Sequence, residues 1–317
     1  MSDAVSGFVA GAVQWAPEFL DPLRGAEKAV AAIAEAASAG ARLLVFPEAW
    51  LVGYPYWSGI MPSDPEYQMY RQLLLERAVT LDGPEFALIR AAAAEHGMTV
   101  VMGHNERVGS TIYCSLAYIG QDGRLLGNHR KLVPTQAERL VWGRGDGSDL
   151  EAYDTPLGKL CGLNCFEHQM APARYALCGM GVQLHASVWP GHAFIDGLID
   201  ASTRHLSHEN GCFVIVAREC MSPDRVGASV PKPERTAAHF HTHGGSAIIA
   251  PGGEYLAGPV FDTETIVLAQ IDLARIGVVK WFFDGVGHYA APEVFSLRVD
   301  RRPKPAVTFV DTDGDQR

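Results

Sequence analysis

The 317-residue chain has no Ser/Gly-rich or Pro-rich linker, no internal repeat and no low-complexity run, and its 19 prolines are spread among turns. With 48% hydrophobic content and nothing to divide it, it reads as one large domain, residues 1–300, followed by a polar tail, residues 301–317. No apolar stretch is long enough to span a membrane. The start has no basic region either: it carries Asp3, and the apolar run Gly7–Ala16 reads as a strand rather than a signal peptide. Positive charge is scarce, with 26 Lys and Arg against 36 Asp and Glu, a net charge of -10. Beyond the short group Arg301, Arg302 and Lys304 no basic cluster exists, which argues against nucleic acid as a partner. Cysteine is limited to six residues, none in a CxxC pair, and they read as reduced thiols in a cytoplasmic protein.

What is present is a strand–helix–strand rhythm. Phe8–Trp15 and Arg42–Phe46 are buried strands separated by a helix over Gly25–Ala39, with Ala26, Val30, Ile33, Ala34 and Ala37 on one face. Helices follow over Glu66–Ala78 and Pro84–His96, then a strand at Thr99–Gly103. Thr111–Ile119 and Arg124–Leu132 are joined through Asp122-Gly123, a hairpin signal that makes the sheet mixed. Strands at Val182–Trp189 and Cys212–Arg218 flank a helix over about Leu198–Glu209. A hairpin across Pro251-Gly252-Gly253 and a strand at Thr265–Leu273 close the pattern.

The segment Leu157–Gly179 concentrates the chemistry. A short strand ends at Cys165, and the pattern then turns helical through Met170, Ala173 and Leu177. A side chain on such a turn projects from the sheet beside unpaired backbone N–H groups, so a thiol there is expected to be acidified, with the N–H of Phe166 free to accept developing charge. A buried, inert cysteine is the competing reading. Glu48 stands just past the end of another strand, among Trp50, Tyr54, Tyr56 and Trp57, where desolvation raises a carboxylate toward the range of a general base. Both residues occupy the edge where open α/β sheets place their sites. Lys131 also ends a strand, and the long loop Val133–Leu150 after it contains Glu138. Its GRGDGS run lacks the Lys-Ser/Thr ending of a phosphate loop, which excludes a nucleotide site.

The stretches FPEAWLVGYP (Phe46–Pro55), HRKLVPTQAERLVWGRGDGSDL (His129–Leu150), GLNCFEHQMAPARYAL (Gly162–Leu177), GGSAIIAPGGEYLAGP (Gly244–Pro259) and GHYAAPEVFSL (Gly287–Leu297) together resemble the nitrilase branch of the carbon–nitrogen hydrolase superfamily. That resemblance implies an α/β fold, a four-layered α-β-β-α sandwich of mixed sheets within a single domain, extended by dimerisation into a homodimer or a larger spiral. It implies a Glu48–Lys131–Cys165 triad with Glu138 supporting the lysine, no cofactor, and hydrolysis of a nitrile to the carboxylic acid and ammonia through a thioimidate and a thioester. Tyr54, Phe166, Trp189, Pro190 and His129 are expected to bind substrate; Phe166 replaces the Trp that most often follows the nucleophile in similar enzymes. Amide hydrolysis or cyanide degradation by the same machinery stays open.

A rival class rests on His239, His241 and His243. On a strand, HFHTH would place three imidazoles on one face, an arrangement able to bind zinc in a metal-dependent hydrolase. A non-enzymatic binding protein that keeps the fold is the third class. Cys161 and Cys178 are expected to face the core.

Overall fold

A computed structural model of the protein describes residues 7–228 and 230–308. The elements run β1 (Phe8–Val13), α1 (Pro22–Ser38), β2 (Ala41–Val45), α2 (Pro65–Arg77), α3 (Pro84–His96), β3 (Thr99–Val108), β4 (Thr111–Ile119) and β5 (Leu125–Arg130). They continue with β6 (Tyr153–Thr155), β7 (Gly158–Asn164), α4 (Ala171–Gly179), β8 (Leu184–Trp189), α5 (Asp196–Asn210), β9 (Phe213–Arg218), β10 (Gly244–Ile249), β11 (Tyr255–Phe261), β12 (Ile266–Ile271) and α6 (Ala274–Phe282). Two six-stranded sheets result, in the orders β12-β1-β2-β3-β4-β5 and β11-β10-β9-β8-β7-β6. Each pairs parallel strands at its centre with antiparallel strands at its rims, so both are mixed.

The strands read as unbroken apolar runs because both faces are buried. Phe8, Ala10 and Ala12 of β1, Leu43 and Val45 of β2, and Phe213, Ile215 and Ala217 of β9 point between the sheets. Their alternates Val13 and Leu44 face the layer of α1, α2 and α3, while Val214 and Val216 face that of α4 and α5. This two-residue period produces the expected α-β-β-α sandwich within one chain. Local chemistry bounds the helices. Asp21 caps α1 by accepting from the Arg24 N–H, Pro22 opens it, and Gly97 and Gly211 end α3 and α5 at φ of +57° and +58°.

One expectation needs correction, and one helix was not foreseen. The helix after Cys165 is not continuous: a 3₁₀ turn, Cys165–Gln169, comes first, and α4 begins only at Ala171. Pro172 has no N–H to bond the carbonyl four residues back and its ring would clash there, so the His168 carbonyl accepts from Arg174 Nη1 at 2.8 Å instead. The sequence reading placed no helix after β12: in α6 the apolar residues Ile276, Val278, Val279, Trp281 and Phe282 are spread round the helix rather than gathered on one face, and only Ile276 is buried. Of the expected tail, residues 301–308 carry no helix or strand, and Lys304 donates its backbone N–H to Asp146 at 2.8 Å; residues 309–317 lie outside the described residues.

The path of β3 fixes the turn that carries Glu48. Phe46 donates to the Val101 carbonyl at 2.8 Å and Leu51 to the Gly103 carbonyl at 2.9 Å. Between them the chain runs so close that a Cβ on Gly103 would lie 1.9 Å from the Pro47 carbonyl oxygen. Only glycine fits that backbone approach. Gly103→Ala is expected to lose about 1–3 kcal/mol or more in urea unfolding, the range for overpacking. A denaturation midpoint equal to the parent's would contradict this close packing.

Candidate active site

Glu48 follows β2, Lys131 follows β5 and Cys165 follows β7, so the two sheets contribute their strand ends to one place. Cys165 sits at φ +51°, and Ala49, Val52 and Gln136 nearby in sequence to Glu48 and Glu138 are also left-handed, at +51°, +89° and +47°. Such values are strained for residues with a Cβ, above all for β-branched Val52, and persist only where the surroundings hold them. Here the Val52 carbonyl accepts from Leu20 at 2.8 Å and the Ala49 carbonyl from Gly53 at 2.9 Å.

Lys131 is fully buried between two carboxylates, its Nζ 2.7 Å from Glu48 Oε1 and 2.7 Å from Glu138 Oε2. Glu138 is held in turn: Tyr54 donates its hydroxyl to Oε1 at 2.6 Å, and the Thr135 N–H donates to Oε2 at 2.6 Å. Cys114 donates its thiol to Glu48 Oε1 at 3.5 Å, while Glu48 Oε2 is buried without a partner. The Cys165 sulfur and an oxygen of each glutamate lie within 4.8 Å of one another. This is the one group of three potential metal ligands among the described residues, and the Lys131 ammonium already supplies the cation beside both carboxylates.

Burial sets the protonation states. It pushes the Glu48 carboxyl up, against the opposing pull of Lys131, to a pKa of about 7. Burial opposes the charge on Lys131, but Glu48 and Glu138 outweigh it and hold the ammonium well above its usual range. The expected acidification of Cys165 is not found. Burial, followed by the Glu48 charge, drives this thiol well above the ordinary cysteine value, with Lys131 and the Phe166 backbone N–H acting the other way. Only a five-residue 3₁₀ turn stands behind the sulfur, too short a dipole to offset desolvation. The resting group is a thiol next to a base poised near neutrality.

Cys165 and Glu138 open onto a cavity of about 730 Å³ walled by Tyr54, Tyr56, Phe166, Pro190, His192 and Phe194 among others. Of the residues expected to bind substrate, Tyr54, Phe166 and Pro190 line this cavity. Trp189 does not: it is fully buried behind the wall, 6.1 Å from the Phe166 ring and stacked on His168 at 4.9 Å. His129 is also away from the cavity, buried between Asp149 (3.0 Å from Nδ1) and Glu167 (3.2 Å from Nε2). The three histidines of HFHTH are not on a strand. Residues Ala237–Phe240 form a 3₁₀ turn and β10 begins only at Gly244, so His239 and His241 face the cavity while His243 turns to Asp196 at 3.0 Å and stacks on Phe261. They form no group with ligand atoms within metal-binding reach among the described residues.

Three contributors escaped the sequence reading. Cys114 touches Glu48 and Asn164 from β4; a cysteine inside a strand carries no distinguishing signal. Glu167 accepts from the backbone of Asn164 at 2.8 Å, a capping box legible in the N-x-x-E spacing. His168 donates Nδ1–H to the Cys165 carbonyl at 2.6 Å; its Nε2 then accepts from His185 at 3.0 Å, whose Nδ1 accepts from the Cys161 thiol at 3.4 Å. Burial holds both imidazoles neutral, His168 at about 4, as that donor order requires.

The carbon–nitrogen hydrolase profile matches residues 9–280. This chain belongs to that family. It is 39% identical over 312 residues to Nitrilase 2 of an unknown prokaryotic organism, covering 97% of both chains. It is 36% identical to a bifunctional nitrilase/nitrile hydratase of Lupinus angustifolius, covering 94% of this chain and 87% of that one. Among solved structures, Nit3 of Saccharomyces cerevisiae, a member of branch 10 of the nitrilase superfamily, superposes with a TM-score of 0.71 at 16% identity, over 90% of this chain and 97% of that one. These relatives place the chain in the nitrilase branch of the carbon–nitrogen hydrolases, enzymes acting on carbon–nitrogen bonds.

A carbon–nitrogen hydrolase with this geometry has a pH signature. Glu48 carries its proton below pH of about 7 and is a free carboxylate above it, so alkylation of Cys165 by iodoacetamide is expected to accelerate through that pH and level off. Peptide mass spectrometry separates Cys165 from Cys220, the one cysteine among the described residues that is not buried. In Glu48→Gln the inflection should vanish; an unchanged profile would show that another group governs the thiol.

Proposed function

We propose that the protein is a nitrilase that converts a nitrile to its carboxylic acid and ammonia through a covalent bond to Cys165. The observation that carries this reading is the buried Glu48–Lys131–Glu138 cluster against the Cys165 sulfur at the floor of an aromatic cavity. Because the resting sulfur is a thiol, proton loss accompanies attack: Glu48 takes the Sγ proton as sulfur bonds to the nitrile carbon, then returns it to the nitrogen, leaving a thioimidate. Lys131 has three N–H donors, two committed to carboxylates, and the third together with the Phe166 N–H stabilises charge on the substrate nitrogen. Glu48 next removes a proton from water as its oxygen adds to the carbon. That proton passes to nitrogen, giving a tetrahedral carbon with OH, NH2 and sulfur; Glu48 then carries the hydroxyl proton to nitrogen as the C–N bond breaks, so ammonia leaves and a thioester remains, and a second water releases the acid and restores the thiol.

The site residues act in named roles: Cys165 as nucleophile, Glu48 as base and acid, Lys131 as electrostatic catalyst and Glu138 as the anchor of the lysine. The cavity volume and its Tyr54, Tyr56, Phe166 and Phe194 rings support an aromatic or arylacetic nitrile over cyanide. A homodimer or larger spiral is supported by the exposed apolar residues Trp281 (75% exposed) and Phe295 (77% exposed), with Val278, Phe282 and Tyr289 beside them in sequence. The absence of disulfides among the six cysteines fits a cytoplasmic setting, and no helix among the described residues is long and apolar enough to cross a membrane.

Ammonia release from a panel of aliphatic, aromatic, arylacetic and cyanide substrates tests the reading. Turnover is expected, strongest with the aryl-bearing nitriles; Cys165→Ala should abolish it and Cys161→Ala should retain it. Hydrolysis by Cys165→Ala at the parent rate would dismiss the assigned nucleophile. Product partition gives a second outcome. Phe166 walls the cavity beside the nucleophile, so Phe166→Trp should change the acid-to-amide ratio or the substrate ranking more than the melting temperature. Unchanged products with a lowered melting temperature would make Phe166 a packing residue.

A further inference from the structure

We infer that Glu167, held by His129, is a positioning residue that sets the separation between Lys131 and Cys165. The argument rests on the nitrilase reading for what those two residues do, and on geometry alone for how they are held. Glu167 is buried, and its carboxylate accepts two backbone N–H groups: Leu132 at 2.7 Å through Oε1 and Asn164 at 2.8 Å through Oε2. Leu132 directly follows Lys131, and Asn164 directly precedes Cys165. One carboxylate therefore ties the end of β5 in the first sheet to the end of β7 in the second, one residue from each reacting group.

His129 completes the tie. Its Nε2 lies 3.3 Å and 3.2 Å from the two Glu167 oxygens, and its Nδ1 lies 3.0 Å from Asp149 Oδ1. Both partners are carboxylates, so both ring nitrogens must carry hydrogen and the ring is an imidazolium. Asp149 Oδ2 accepts the Arg130 N–H at 3.0 Å, so the chain Asp149–His129–Glu167 contacts the backbone on both sides of Lys131 before reaching the Cys165 turn. Burial disfavours the charge on His129, yet Glu167 and Asp149 raise its pKa to about 10, and the cation is kept throughout the neutral range. Glu167 in turn lies below the usual carboxylate range: burial acts upward and His129 with the two backbone donors acts more strongly downward. Hydrogen bonds to charged acceptors are short and directional, which suits a fixed spacer.

The test is Glu167→Gln, which keeps the shape but turns one acceptor oxygen into an N–H₂ that faces a backbone donor. Kinetics with the best nitrile of the panel, at 10 °C and 25 °C on protein shown folded by circular dichroism, should give a kcat about a hundredfold lower, the scale of loss from misplacing a reacting group by about 1 Å. KM should stay within about threefold, since the cavity wall is untouched. Cys165 alkylation, which needs no substrate, should slow in the same variant. A kcat within twofold of the parent's, or a loss that disappears on cooling in proportion to the folded fraction, would overturn the proposal and leave Glu167 with a packing role. If Glu167→Gln does not fold, His129→Gln keeps a donor toward Glu167 and is expected to lose about tenfold in kcat; an unchanged kcat there would overturn it equally. Absence of turnover in the parent protein would instead defeat the nitrilase reading, while the alkylation rates would still report on the spacer.

Discussion

A fully buried ammonium is the constraint on which this site depends. Lys131 is fully buried, and removing such a charge from solvent costs several kcal/mol unless opposite charges surround it. Glu48 and Glu138, each 2.7 Å away, provide them. The arrangement is asymmetric. Glu138 is fixed by Tyr54 and the Thr135 N–H, whereas Glu48 keeps one oxygen unpartnered, and burial, working against Lys131, raises Glu48 to a pKa of about 7. One buried cation thus anchors a rigid glutamate and leaves a reactive one. A low local dielectric magnifies both effects.

Holding that cluster requires both sheets. The glutamate turn leans on β3 through the Gly103 approach, the lysine extends from β5, and the sulfur stands on a left-handed residue after β7. The left-handed residues Ala49 and Val52 are held by the backbone bonds their carbonyls accept from Gly53 and Leu20. Stability of the sandwich and geometry of the site are in this sense one property.

Much of this was legible in the residues. Apolar runs bounded by Gly and Pro revealed the strands because buried sheets need no polar alternation, and Asp122-Gly123 revealed the antiparallel hairpin. Glu48 and Cys165 stood out as residues just past strand ends, while Lys131 and Glu138 gained their roles through resemblance. Features that depend on packing between distant segments were not legible. His129 reads as a polar residue near a lysine until Asp149 and Glu167 are brought to its two ring nitrogens by separate elements. Trp189 passes for a cavity wall until Phe166 is seen to stand in front of it. The expected acidification of Cys165 failed because desolvation of a buried sulfur, with the Glu48 charge beside it, exceeds what one short turn of backbone dipoles returns. His239, His241 and His243 share a face only if their backbone is extended, and the 3₁₀ turn at Ala237–Phe240 removes that premise.

The central claim is that bond cleavage proceeds through sulfur at Cys165. The most direct measurement is rapid acid quench of the protein during turnover of an aryl nitrile, followed by peptide mass spectrometry. The account predicts a transient adduct, with the mass of the bound nitrile or its acyl product, on the peptide that carries Cys165, appearing within the first turnover and disappearing as substrate is exhausted. Turnover without any adduct, or an adduct confined to Cys114, Cys161 or Cys220, would contradict it.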